Sequence, residues 1–249
     1  MSGLKTVKKV TSFKGLIKEE FEEVQAGDIN YWKENDTDVY EKIIQNMKEI
    51  ALDDDWWDFI YEGFQEDMNK KFGWAPETDD MNFSGFYSQG DGASFTGTLY
   101  QDDVAGIMKK IYKKFPLNKG FEDGNIDVQI DIERHGRYVH EKSVSVEISH
   151  LDSVDYEEFF DLYEKELQAG ELKGVDEYDA DECDDAIYDY IDGYVNELED
   201  TLNEWLEDSC IELYKRLESA YEDMTSDEAM EEMALNNDYQ FDEDGNIVG

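Results

Sequence analysis

The chain has 249 residues and carries 65 Asp and Glu against 22 Lys and Arg, a formal net charge of −43. Aromatic residues make up 14% of it, which excludes a disordered acidic chain, because such chains are poor in aromatics. The charge excludes direct binding to nucleic acid or to an anionic membrane, since both need a cationic surface. A halophilic origin would also explain the acidity, but 19 lysines against 3 arginines argue against it, because halophiles generally shed lysine.

The N-terminal segment is rich in lysine and contains no acid before Glu19. Within it, VKKVTSF is predicted to be either an edge strand guarded by its lysines or a frayed tail. The spacing of Leu16, Phe21 and Val24 then predicts a short helix.

Three amphipathic patterns predict longer helices. Residues 39–50 recur at helical spacing behind a cap at Asn35 or Asp36. Residues 56–72 follow the same spacing, and GWAPETDD ends that helix. Residues 104–115 form the third pattern, with lysines on the outer side, and a proline stops it.

The middle of the chain changes to strand patterns. Residues 83–100, FSGFYSQGDGASFTGTLY, predict two short strands around a GDG turn. Residues 125–151 alternate apolar and polar side chains on both sides of a turn near His135 and Gly136, which is typical of a β-hairpin. Together they predict a central antiparallel sheet of about four strands.

The remaining residues predict a helical, acidic half. One helix is expected at 156–167, and a long one at 181–221, which Gly193 would bend or split. A short helix starts at Ser226, and residues 239–248 predict a terminal hairpin.

The fold class that follows is α+β, in which helices flank the central sheet and a long acidic helix lies near the C-terminus. We expect a single domain over 1–249, with helices and sheet in 1–152 and the acidic helical half with its hairpin in 153–249. No apolar run reaches the ~18 residues of a membrane span, and no secretory signal is visible.

The short motifs do not predict an enzyme, a metal or a cofactor. DYQFDEDGNIVG places Gly245 like the glycine of a calcium loop, but the last ligand position would lie beyond the sequence. GDGAS lacks the lysine of a P-loop. The spacing of His135, His140 and His150 offers no third zinc ligand, and Cys210 is on the apolar side of its helix, so it is predicted to be core.

The acidic segment 176–212 is the feature that calls for a function. It holds 16 carboxylates and no Lys or Arg, and as a helix it would span ~55 Å, or one charge per ~3.5 Å. A DNA strand carries one phosphate per ~3.4 Å. The predicted contact residues are Asp181, Asp184, Asp185, Asp189, Asp192, Glu197, Glu199, Asp200, Glu204, Glu207, Asp208 and Glu212.

This charge pattern resembles the DNA-mimic class of phage and mobile-element proteins, such as antirestriction proteins. FSGFYSQGDGASFTG is also similar to a motif of uncharacterised phage-encoded proteins. The resemblance implies an anti-defence protein of the host cytoplasm that occupies the DNA-binding site of a host nuclease, restriction enzyme or other basic DNA-binding protein. It implies no cofactor and no catalysis.

Two alternatives stay open. The chain could be an acidic interaction protein that is not a DNA mimic, such as a chaperone for basic proteins or a phage regulator of host transcription or replication. It could also be a metal-dependent protein or an enzyme. A homodimer would extend the charged helix and is compatible with either kind of interaction protein.

Overall fold

A computed structural model describes residues 3–13, 19–52, 55–124, 126–153 and 180–248, with side chains for 3–7, 25–52, 55–124, 126–151 and 192–248. Helices and antiparallel strands are mixed along this part of the chain, which confirms the predicted α+β class.

The described helices and strands follow the chain in a mixed order. The helices are α1 (Ile29–Asn35), α2 (Thr37–Ala51), α3 (Asp58–Phe72), α4 (Gln101–Ile111), α5 (Asn118–Asp123), α6 (Ala180–Met224) and α7 (Asp227–Asn236). The strands are β1 (Lys5–Phe13), β2 (Glu19–Ala26), β3 (Met81–Phe83), β4 (Ala93–Phe95), β5 (Gly97–Tyr100), β6 (Ile126–Arg134) and β7 (Val144–Ser153).

The described strands form three small sheets, so the expectation of one central four-stranded sheet is wrong. β1 pairs with β2, β3 pairs with β4, and β5, β6 and β7 form a sheet in that order. The chain changes sheets at Thr96, whose N–H donates to the Asp80 carbonyl at 3.2 Å. A Cβ on Gly97 would lie 2.9 Å from the Trp74 ring, so only glycine lets the chain turn so close to that ring.

The N-terminal segment contains strand β1, so the predicted strand is confirmed and the frayed tail is wrong. The short helix expected around Phe21 and Val24 is wrong, because Glu19–Ala26 is strand β2. The register places lysines of β1 opposite glutamates of β2, as in Lys8 opposite Glu23. This pairing is non-local, so it is not visible in local periodicity.

The described chain divides into two compact units. The first comprises Met1–Trp57 and Glu218–Gly249, and the second Asp58–Leu217. In the first unit, α2 begins as predicted, because the Asp36 side chain accepts a hydrogen bond from the Val39 N–H. The buried core of this unit contains Ile29, Trp32, Val39, Ile43, Ile44, Met47, Met230, Ala234 and Phe241.

The C-terminal hairpin is confirmed. Phe241 pairs with Ile247, and the buried Asp242 side chain accepts hydrogen bonds from the backbone N–H groups of Asp244 and Asn246, at 3.1 and 2.9 Å. These bonds close an Asx-type turn in which Gly245 has a φ of 82°. The aspartate therefore shapes the turn.

In the second unit, the predicted hairpin is confirmed as β6 and β7, and the helix at 56–72 is confirmed as α3. The third helix runs over Gln101–Ile111, so it starts and ends earlier than the expected 104–115. The long helix is confirmed as α6, and it continues through Gly193. The helix expected at 156–167 lies outside the described residues.

The glycine-rich loop between β3 and β4 is organised by Asp91. Its carboxylate accepts hydrogen bonds from the N–H groups of Tyr87 and Ser88, at 2.9 and 2.6 Å. A Cβ on Gly92 would lie 2.5 Å from that of His140, so this glycine lets the loop contact the β6–β7 connection. The motif glycines thus have a structural explanation.

We expect Gly92→Ala to destabilise the protein by about 1–3 kcal/mol, because the added methyl group has no space. Gly63→Ala is the matched control, since a Cβ there meets no atom within 4 Å and alanine favours the helix. Urea unfolding of both variants checks the prediction. Equal stability of the two variants would contradict the close contact.

An ion pair joins α1, α2 and α7 in the first unit. Lys33 Nζ and the Tyr40 hydroxyl both donate to Glu231 Oε1 at 2.5 Å. The Lys33 hydrogen bond, followed by that of Tyr40, holds the pKa of Glu231 below its usual range. A depressed carboxylate pKa stabilises the fold above the unfolded pKa, and the stabilisation is lost as pH falls through the folded value.

Glu231→Gln is therefore expected to cost about 1 kcal/mol at pH 7. The difference from the unsubstituted protein should shrink as the pH falls below about 4.3, where the carboxylate of the unfolded chain is half protonated. The control is Glu232→Gln, at an exposed neighbouring position. Thermal unfolding across pH checks this, and a loss that does not change with pH would contradict the role of the ionised carboxylate.

Candidate functional site

The packed face of α6 is apolar. Its fully or nearly fully buried side chains are Leu198, Leu202, Trp205, Leu206, Cys210, Leu213 and Leu217. They recur every three or four residues, so they form one stripe along the helix. Cys210 is core, as predicted, and burial raises the pKa of its thiol to about 12, which makes it a poor nucleophile.

Aromatic and polar contacts fix α6 within the second unit. The Trp205 ring packs edge-on against Phe72, with centroids 5.7 Å apart, and against Trp74 at 6.0 Å. The Asn203 side chain accepts a hydrogen bond of 2.9 Å from the N–H of Val146, in the edge strand β7. The helix therefore covers a sheet edge and is held in one orientation.

The candidate carboxylates lie mainly on the outer side of this helix. Asp192, Asp200, Glu204, Glu207, Asp208 and Glu212 are exposed, whereas Glu197 and Glu199 are half-buried. Asp181, Asp184, Asp185 and Asp189 lie in α6, but their side chains are outside the described set. The described acids thus surround the exposed part of the helix and do not converge on one point.

Most of these acids have no counter-ion in the described part of the chain. Arg216 pairs with Glu212, and the neighbouring Glu197 carboxylate raises the pKa of Tyr112. No described Lys, Arg or His side chain lies within 4.0 Å of the carboxylates of Asp192, Glu199, Asp200, Glu204, Glu207 and Asp208. Their charges are therefore open to solvent or to a partner.

A cleft of about 380 Å³ opens beside α6. Glu204, Asp208 and Glu212 form one side, which we call the carboxylate rim, and Lys71 and Lys110 form the lysine rim. The remaining lining residues are Phe72, Ile111, Thr201, Trp205 and Ser209. Sequence analysis missed the lysine rim because these residues are distant in the chain, although it placed lysines on the outer side of α4.

A second exposed surface lies at the glycine-rich loop and the β6–β7 connection, and we call it the tyrosine patch. It consists of Tyr87, Tyr138 and Arg137, of which Tyr87 is 76% and Tyr138 48% exposed. The Arg137 guanidinium lies 5.0 Å from the centre of the Tyr138 ring. Tyrosine and arginine are enriched in protein interfaces, so this patch is also a candidate contact surface.

The described residues contain neither a metal-binding cluster nor a membrane-spanning helix. Across the described residues, no three His, Cys, Asp or Glu side chains are grouped so that they could hold a metal ion. No described helix combines the length and the hydropathy needed to cross a membrane.

Arg216 anchors the C-terminal end of this acidic surface. Its guanidinium contacts Asp67 of α3 at 2.8 Å as well as Glu212, and it lies 5.5 Å from the centre of the Phe64 ring. We expect Arg216→Gln to cost about 1–2 kcal/mol, because two carboxylates then lose their shared cation and ring packing is lost. The control is Lys215→Gln, at an exposed position. Chemical denaturation measures both, and equal losses would contradict the anchoring role.

Comparison with known proteins leaves the site without an assigned activity. No curated protein and no solved structure matches the chain. One family model matches residues 56–227, more than half of the chain, and this segment includes the whole second unit and all the candidate carboxylates. The chain therefore belongs to the family described as Domain of unknown function (DUF8835).

Proposed function

We propose that the protein is a non-enzymatic DNA mimic, in which the acidic face of α6 occupies the DNA-binding site of a basic host protein. A nuclease, a restriction enzyme or another DNA-binding defence protein is the expected target. The observation that carries the proposal is the set of exposed carboxylates without ion-pair partners in the described chain, held on a helix that is packed on its other face.

The axial charge density of α6 supports this function. Residues 180–212 of the helix hold 13 carboxylates over a rise of ~50 Å, or one per ~3.8 Å. The phosphates of one DNA strand are spaced at ~3.4 Å along the axis. A groove of Lys and Arg that accommodates phosphates at that spacing would also meet carboxylates along this helix.

The absence of local compensation also supports it. Solvent-exposed helices usually mix Glu and Lys, because such pairs stabilise the helix by about 0.2–0.5 kcal/mol each, and like charges cost similar amounts. Residues 174–214 contain neither Lys nor Arg. A face that gives up this stabilisation is suited to fast, electrostatically steered association with a cationic surface.

The tyrosine patch favours a second candidate, an acidic interaction protein that does not mimic DNA. Tyr87 is presented on a loop that hydrogen bonds hold in place, and such exposed aromatic residues can carry much of the binding energy of an interface. In that case the partner would contact the patch, and the charges of α6 would serve solubility.

The test is retention of host-cell proteins on the immobilised protein, with duplex DNA as competitor. We expect a DNA-binding protein to be retained at low salt and released by the duplex. Neutralising the outer face with Asp192→Asn, Asp200→Asn and Glu207→Gln, none of which lines the cleft, should weaken retention by about tenfold or more, because each lost charge removes a contact with a cation.

The matched control removes the same charge elsewhere, with Glu34→Gln, Glu41→Gln and Glu49→Gln at exposed positions of the first unit. It should retain the partner almost unchanged. Equal weakening by both variants would mean that net charge alone attracts the partner. Binding that survives the outer-face variant but not Tyr87→Ala would replace DNA mimicry by the second candidate.

A further inference from the structure

The cleft beside α6 differs from the rest of the acidic surface because its two sides carry opposite charges. The carboxylate rim presents Glu204, Asp208 and Glu212, which follow one another at i,i+4 spacing along one side of α6. The lysine rim presents Lys71 and Lys110, at the ends of α3 and α4. The charges along the DNA backbone are all negative, whereas the cleft carries both signs. This part of the surface therefore departs from a DNA-like charge pattern.

No ion pair joins the lysine rim to the carboxylate rim. Neither Lys71 nor Lys110 lies within 4.0 Å of a described carboxylate, although this chain has far more acids than bases. Lys71 instead holds its ammonium group 4.7 Å from the centre of the Phe72 ring. Glu212 pairs with Arg216, so Glu204 and Asp208 supply the unpaired anions of the carboxylate rim. Both signs of charge therefore stay available along a cleft whose volume, about 380 Å³, lies in the range of ligand sites.

The lining between the rims is mixed. Ile111 and Thr201 line the cleft, as does the largely buried Trp205, whose indole N–H has no acceptor among the described residues. A buried donor without an acceptor is costly and uncommon. The cleft thus combines cations, anions, a hydroxyl and apolar surface over a short distance.

We propose that this cleft anchors a bipolar peptide segment of the partner, in which a basic and an acidic side chain lie close together. The basic side chain would meet the carboxylate rim, the acidic one the lysine rim, and the intervening backbone and methylene groups would cover Ile111. This inference rests on the proposed function, since it describes a protein partner already docked on α6. The bipolar segment would distinguish that partner from other basic surfaces.

The chemistry excludes simpler occupants. A polycation would gain contacts with the carboxylate rim but would be repelled by Lys71 and Lys110. A phosphate backbone would be attracted by Lys71 and Lys110 but repelled by the carboxylate rim. A segment that carries both signs satisfies both rims at once, and repulsion of the wrong charge pattern is a recognised source of specificity.

Three capped tripeptides test the proposal directly. The bipolar probe is acetyl-Arg-Ala-Glu-amide, the cationic probe acetyl-Arg-Ala-Gln-amide and the anionic probe acetyl-Gln-Ala-Glu-amide. NMR titration of the whole protein follows the Trp205 indole N–H and the amides of Lys71 and Lys110. We expect the bipolar probe to bind about threefold or more tightly than either other probe, as one additional exposed ion pair allows.

Two variants should separate the rims. In Lys71→Gln with Lys110→Gln, the bipolar probe should lose its advantage over the cationic one. In Glu204→Gln with Asp208→Asn, it should lose its advantage over the anionic one. Lys113→Gln with Lys142→Gln removes two exposed lysines that do not line the cleft, and this control should keep the original order of affinities.

Equal affinities for the three probes, or tightest binding of the cationic probe, would overturn the bipolar site. So would the absence of shifts at the cleft residues up to ~10 mM probe, a concentration that detects very weak binding. Competition with duplex DNA is measured separately. A failed tripeptide titration therefore removes this site and leaves the proposed function standing. Partner binding insensitive to DNA removes the proposed function, and the tripeptide result then describes the cleft alone.

Discussion

The apolar stripe of α6 packs inside the second unit, and the acidic surface depends on that packing. Burying one leucine or similar side chain contributes about 1.5–3 kcal/mol, whereas one like-charge pair at i,i+4 costs a few tenths of a kcal/mol. Leu198, Leu202 and Leu213 are almost completely buried. A few such side chains offset the repulsion among the carboxylates, so the helix is stable without local counter-ions.

The same packing gives the charges a fixed arrangement. Trp205 is held between Phe72 and Trp74, and Asn203 binds the backbone of the edge strand β7. A disordered acidic tail would lose conformational entropy when it bound a partner, which weakens binding. A packed helix has already lost that entropy on folding. Folding therefore fixes the acidic face in one arrangement, as the proposed function requires.

The surface around α6 is not uniformly negative, and this has consequences for recognition. Lys71 and Lys110 face the carboxylate rim without pairing with it, so the cleft has two polarities beside an outer face with one. An outer face of one sign provides attraction over a distance, which is strong but unselective. In the proposed bipolar site, the mixed cleft adds selection at contact, because a partner must place both signs correctly.

Sequence patterns predicted what depends on local spacing. They predicted α2 with a cap at Asn35 or Asp36, the β6–β7 hairpin, α6 to within three residues of its ends, and the buried position of Cys210. They failed where distant residues decide the structure. β2 was mistaken for a helix because its partner β1 is not visible in local periodicity, and the switch between sheets at Thr96 depends on Asp80 and Trp74.

Some residues of the candidate site could be predicted from local sequence, and others depend on distant residues. The acidic residues of α6 could be identified from the sequence because they are consecutive, and their exposure follows from helical geometry. The lysine rim could not, because Lys71 and Lys110 reach the cleft from the ends of two other helices. The half-buried state of Glu197 and Glu199 likewise depends on neighbours outside α6.

If the outer face of α6 takes the place of DNA on a basic protein, this protein and a DNA duplex must compete for one site on that partner. The most direct measurement is the affinity of the captured partner for this protein and for duplex DNA over one salt series. For a DNA mimic we expect mutually exclusive binding and affinities that both fall steeply as salt rises. A ternary complex with DNA, or binding that persists unchanged at ~1 M salt, where charges are screened within ~3 Å, would contradict it.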